Sequence, residues 1–112
     1  MGDRVPGTLL AALADLAKWL DAMQIPSMVI GGVAASVLGR PRLTQDIDVL
    51  AILAPEDWAE AIASGAVHGF VPRIDKALDF AHRSRVLLMR HAQSGIDIDV
   101  TFGQLTFERT AI

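Results

Sequence analysis

Asp46-Ile47-Asp48 places two aspartates around one isoleucine in a run that stays apolar through Val49 and Leu50. In an extended strand, residues i and i+2 face the same way, roughly 6.5–7 Å apart. Two carboxylates so placed suit the sharing of one or two hard cations, which prefer oxygen ligands. With no cation between them, each acid resists the ionisation of the other. Upstream, Gly31-Gly32 closes the short apolar run Ser27–Ile30, where a strand is expected to turn into a helix. Glycine at such a corner lets a phosphate approach the backbone and the helix N-terminus. Glycines for phosphate and acids for metal together read as nucleotide chemistry.

A second Asp-x-Asp occurs in Ile96-Asp97-Ile98-Asp99-Val100. A site that shares two cations is completed by a third acid beside the first two, and this strand offers two on one face. An isolated Asp-x-Asp is most often a solvated strand face. Four carboxylates on two otherwise apolar strands, with no lysine inside either, are harder to explain that way. Between the glycines and the first acids lie Arg40, Arg42 and Thr44. The arginines can reach phosphates or remain solvated, and Thr44 can bond a phosphate or cap the turn. Ser36 either faces a triphosphate or packs within its helix.

The glycine pair, followed by Gly39-Arg40-Pro41-Arg42-Leu43-Thr44-Gln45-Asp46-Ile47-Asp48, resembles the nucleotidyltransferase superfamily of DNA polymerase β-like fold. More narrowly it is similar to the minimal bacterial and archaeal branch, the abortive-infection toxin and small antitoxin nucleotidyltransferases. The resemblance runs from about Leu9 to the last residue, with its diagnostic part in Ile30–Leu50. It implies an α+β (α/β) fold with a mixed sheet and helices mainly on one side. It implies Asp46 and Asp48 as catalytic metal ligands, with Mg²⁺ or Mn²⁺ as cofactor. Aligning Gly103 and Phe107-Glu108-Arg109 to the family pattern puts Asp99 at the third acid and leaves Asp97 as its neighbour.

Gly31 and Gly32, with Arg40 and Thr44, are then the nucleotide-binding residues. The substrate is an NTP such as ATP. The acceptor is a hydroxyl of RNA (tRNA-like) or of a protein, and a cognate toxin or antitoxin is the partner. Larger relatives continue into a helical domain that holds the acceptor or nucleobase. Residues 1–112 are therefore expected to form a single minimal nucleotidyltransferase domain without that part. The alternative is a nucleotidyltransferase-like interaction module that keeps the fold and acts through a partner protein.

The elements that must position these residues follow from periodicity. Leu9, Leu10, Leu13, Leu16, Leu20 and Met23 predict a first helix, with Thr8 as a cap and Pro26 beyond its end. Ser27–Ile30 reads as a buried first strand, 32–38 as a short helix and 40–45 as a turn. Ile47–Leu53 is the second strand. Pro55, Glu56 and Asp57 predict a helix start over 55–64. The stretch 65–73 is irregular or a poor edge strand, and 75–82 is weakly helical. Val86–His91 and Ile96–Phe102 form a hairpin around Ser94-Gly95, and 104–110 opens a further helix.

Composition sets the outer bounds. The chain has 112 residues, of which 52% are hydrophobic, enough for one packed core but not two. The absence of cysteine rules out a disulfide scaffold, a zinc knuckle and a thiol nucleophile. No apolar run reaches the ~18 residues of a membrane span, and no signal pattern opens the chain, so a cytoplasmic protein without a membrane partner is expected. A net charge of −3 argues against unaided coating of nucleic acid. Arg73, Lys76, Arg83, Arg85, Arg90 and His91 read as a basic edge for an RNA acceptor or as a charged, solvated edge strand. His68, His82 and His91 lack metal-ligand spacing, and Trp19 and Trp58 are expected core anchors.

Overall fold

The computed structural model describes residues 7–31 and 46–103. The first helix, α1 (Gly7–Ala22), buries Ala12, Leu16, Trp19 and Leu20, a stripe at helical spacing, with Leu9 and Leu13 packed at its margin. Leu10 leaves the predicted stripe: it stands 56% exposed, one position off the buried face. The helix ends without glycine. Gln24 adopts φ 55°, its amide reaches Asp21 O at 3.0 Å, and Ile25 N reaches Leu20 O at 2.9 Å. These two bonds satisfy terminal carbonyls in the pattern that glycine usually serves.

Five strands form one mixed sheet in the order β1-β2-β5-β4-β3. They are β1 (Ser27–Gly31), β2 (Asp46–Ile52), β3 (Phe70–Pro72), β4 (Val86–His91) and β5 (Asp97–Gly103). Only β2 and β5 run parallel; the other pairs are antiparallel. Between β2 and β3 the chain makes a 3₁₀ turn, Pro55–Asp57, and then α2 (Trp58–Val67); α3 (Ala77–Ser84) precedes β4. The architecture is α+β, with the described helices packed on one sheet face. No described helix is long and apolar enough to cross a membrane.

Several expectations needed correction. β1 is not a buried strand: it lies at the sheet edge, with Met28 58% exposed and Val29 also open. β4 is not an edge strand, because β5 and β3 flank it. The poor edge strand expected within 65–73 is β3, three residues in which Pro72 has no amide to offer a further strand, while Arg73 N still bonds Leu88 O of β4 at 3.1 Å. The helix and turn expected over 32–45, and the helix over 104–110, lie outside the described residues.

Strand alternation divides the sheet cleanly. Ile47, Val49 and Ala51 of β2, Leu87 and Met89 of β4, and Ile98, Val100 and Phe102 of β5 point into the core beneath the helices. Two tryptophans lock the layers. Trp19 stacks on Phe70 at 4.9 Å and donates from Nε1 to Ala61 O at 3.0 Å. Trp58 lies between His82 and Phe102, at 4.9 and 4.4 Å, and donates to Leu53 O at 2.9 Å. Both indoles thus bury their rings while satisfying their single donor.

His91, fully buried at the end of β4, ties the sheet to α1. Its Nε2 lies 2.7 Å from Asp15 Oδ2 and its Nδ1 2.7 Å from Ser94 Oγ in the hairpin turn. Gly95 (φ 79°) shapes that turn. The His91 bond holds the Asp15 carboxyl below its ordinary value of 3.8, more than partial burial raises it. A carboxyl depressed by folding adds stability above 3.8 and loses it as pH falls through the folded value. Asp15→Asn is therefore expected to fold at neutral pH but to show a flatter loss of stability below about pH 4, measured by urea unfolding across an acid series. An acid limb identical to the parent's would remove Asp15 from this role.

Candidate active site

Because Ile47 and Val49 of β2 point into the core, Asp46 and Asp48 must point to the opposite face, away from the described helices. The same alternation in β5, where Ile98 and Val100 are buried, sends Asp97 and Asp99 to that face. The parallel register then sets Asp46 beside Asp97 and Asp48 beside Asp99. On the other side of β2, after an irregularity that follows Val29, Gly31 pairs with Asp48. Gly31, Asp48 and Asp99 thus form one row across three strands, and Asp46 and Asp97 lie in the adjoining same-face row. The residues expected to act together are brought onto one face. Gly32, Arg40 and Thr44, with Arg42 and Ser36, lie outside the described residues.

Alternation does not separate the two candidates for the third acid, since Asp97 and Asp99 share the face. Asp99 is the direct neighbour of Asp48 and Gly31, whereas Asp97 neighbours Asp46. The two are similarly open: the side chain of Asp97 is 28% exposed and that of Asp99 is 34%.

The electrostatics bring in a residue that had been assigned elsewhere. Arg73, just beyond β3, reaches across β4 and sets Nη2 2.7 Å from Asp99 Oδ1. Its Nη1 donates to Met89 O at 2.8 Å and to Ile98 O at 3.3 Å, while Nε stands 3.8 Å from Asp97 Oδ2. Arg90 Nε bonds Asp97 Oδ1 at 2.9 Å. The Asp46 carboxyl is held above its usual range, first by loss of solvation, then by the charges of Asp97 and Asp99; Arg73 offsets part of this and Asp48 adds to it.

The cations of the anticipated basic edge are divided, Lys76 and Arg83 lying beside His82 on one surface pocket and the others elsewhere. Arg73 and Arg90 serve the acids, Arg85 bonds Phe102 O and lies over Trp58, Arg83 lies over Phe80, and His91 is buried. Strand parity places Arg73 once the pairing is known. Phe70 is buried and pairs with His91, so Val71 and Arg73 fall on the face of Arg90 and Asp97.

In donor type the face fits a hard divalent cation: carboxylate oxygens in two register-matched pairs, partly withdrawn from water. As the side chains stand, no three acid or imidazole groups among the described residues close on a single ion. Arg73 holds one oxygen of Asp99 instead. The chain matches no protein-family model and no curated protein.

Proposed function

We propose that the chain is an Mg²⁺- or Mn²⁺-dependent nucleotidyltransferase that moves NMP from an NTP to a hydroxyl of RNA or protein. The observation that carries this reading is the row Gly31–Asp48–Asp99 with Asp46 and Asp97 alongside it, the acids all on the sheet face away from the described helices. A glycine beside two acid pairs is what a triphosphate with its cation requires.

Asp46 and Asp48 would hold the divalent ions, and Asp99 would complete the set on the side of the attacking group. When bound, such ions neutralise phosphate charge and lower the pKa of an attacking hydroxyl. The chain's own contribution is placement. Gly31, having no side chain, leaves room for the β- and γ-phosphates at the strand end. The acceptor hydroxyl would pass its proton to the Asp99 carboxylate, its oxygen would bond the α-phosphorus, and the bond from that phosphorus to the α,β-bridging oxygen would break, releasing pyrophosphate. The resemblance supports a toxin–antitoxin or abortive-infection setting in the cytoplasm, with a cognate toxin or antitoxin as partner.

The second reading is a non-catalytic interaction module with the same fold. The ion pairs of Arg73 and Arg90 favour it, because they already neutralise part of the acid face from within. Asp48→Asn tests the metal site on which the first reading depends. Removing this carboxylate while keeping its shape is expected to weaken Mn²⁺-dependent NTP binding at least ~10-fold by calorimetry, as loss of a metal-ligand charge should. Unchanged metal-dependent binding in that variant would contradict the nucleotidyltransferase site.

A further inference from the structure

We infer that Arg73 sets the cation affinity of the acid face: its guanidinium is a resident positive charge that competes with a divalent ion for Asp99. The inference rests on the nucleotidyltransferase reading of that face. Three observations carry it. The Arg73 side chain is only 17% exposed, so its charge is poorly screened by water. Its place is fixed by backbone, since Nη1 donates to two carbonyls on adjoining strands, Met89 O and Ile98 O. The same fork then delivers Nη2 to Asp99 Oδ1 at 2.7 Å and leaves Nε near Asp97.

An arginine so anchored differs from Arg90, whose half-exposed side chain pairs, among the described residues, with Asp97. Asp99 cannot give the same oxygen to a cation and to Nη2 at full strength. A divalent ion arriving between Asp48 and Asp99 also meets a fixed positive charge on the β4 side. Arg73 thus stabilises the metal-free face and raises the cation concentration needed to load it. A purely structural arginine would behave otherwise, because its loss would loosen the site and weaken cation binding.

The test is Mn²⁺ titration of the full chain by calorimetry, without nucleotide. Arg73→Gln, which removes the charge, is expected to bind Mn²⁺ at least ~10-fold more tightly than the parent. Arg73→Lys, which keeps a charge, should stay within a few-fold of the parent, and Arg90→Gln should change affinity less than Arg73→Gln. In chelator, Arg73→Gln should melt below the parent and regain more on Mn²⁺ addition than the parent does.

Equal or weaker Mn²⁺ binding in Arg73→Gln, with the parent binding normally, overturns the inference and leaves the nucleotidyltransferase reading intact. If neither protein binds Mn²⁺, both fall. Should Arg73→Gln fail to fold, the parent alone decides the matter. Its Arg73 guanidinium protons, slowed in exchange by their bonds to Asp99 and the two carbonyls, should exchange faster at Mg²⁺ saturation, and unchanged protection would overturn the proposal.

Discussion

Asp99→Asn is expected to bind NTP within a few-fold of the parent yet to transfer label at least ~100-fold more slowly, the low end for losing a group that acts on the transferred proton. On the proposed reading, the triphosphate is held through Gly31 and through cations on Asp46 and Asp48. Asp99 comes into play when the acceptor hydroxyl must lose its proton. An interaction used mainly in the transition state appears in turnover and hardly in affinity. The substitution also turns the closest acceptor of Arg73 from a carboxylate into a neutral amide, so the comparison needs a melting curve showing that the variant remains folded. If Asp99→Asn turns over normally while Asp97→Asn is inactive, the third acid lies one same-face position earlier on β5, beside Asp46. If the parent transfers nothing to any RNA or protein offered, with or without a partner, the interaction-module reading takes its place.

Trp19→Ala is expected to cost about 3–5 kcal/mol of stability, the range for truncating a large buried aromatic. For a chain of this size that is a large share of the total. The indole is fixed on three sides. It stacks on Phe70, donates to Ala61 O, and lies so close to Gly65 that a Cβ there would meet Trp19 Cζ2 at 2.8 Å. Its removal opens a cavity between α1, α2 and β3 and leaves the Ala61 carbonyl without that donor. Gly65→Ala approaches the same contact from the other side. Alanine gains about 1 kcal/mol in helix propensity, but overpacking against a ring that cannot move costs about 1–3 kcal/mol, so a net loss is expected. Adding Trp19→Phe should restore part of it, because the smaller ring leaves room. Urea unfolding of the three variants measures all of this. A Gly65→Ala protein more stable than the parent would mean that the ring yields, and the argument for a rigid seat would fail.

Much of the acid face was legible because period-two alternation is local. Asp46 with Asp48, and Asp97 with Asp99, are each assigned to one face by their immediate apolar neighbours. The hairpin around Ser94-Gly95 and the two tryptophan anchors were readable for similar reasons. What escaped depends on pairing across distance. A short apolar run such as Ser27–Ile30 reads equally as a central or an edge strand until its neighbours are known. The partnership of Arg73 with Asp99 requires β3, β4 and β5 to lie in that order, and nothing near Arg73 in sequence states it. Likewise the match of Asp46 to Asp97 and of Asp48 to Asp99 is a register between parallel strands, which no turn geometry can specify. The onset of α2 shifted for a local reason, since residues 55–57 take a 3₁₀ turn before the α-helix begins at Trp58.

The central β2–β5 pair has a kinetic consequence. β4 and β5 are joined by a tight turn and can meet early, because closing a short loop costs little entropy. β2 and β5 can pair only across everything from Leu53 to Ile96, the slow kind of contact that dominates folding times. The two halves of the acid face sit on those two strands. A nascent or partly unfolded chain therefore displays Asp46-Ile47-Asp48 and Asp97-Ile98-Asp99 as two separate pairs of negative charge, which come together only when the β2–β5 register closes.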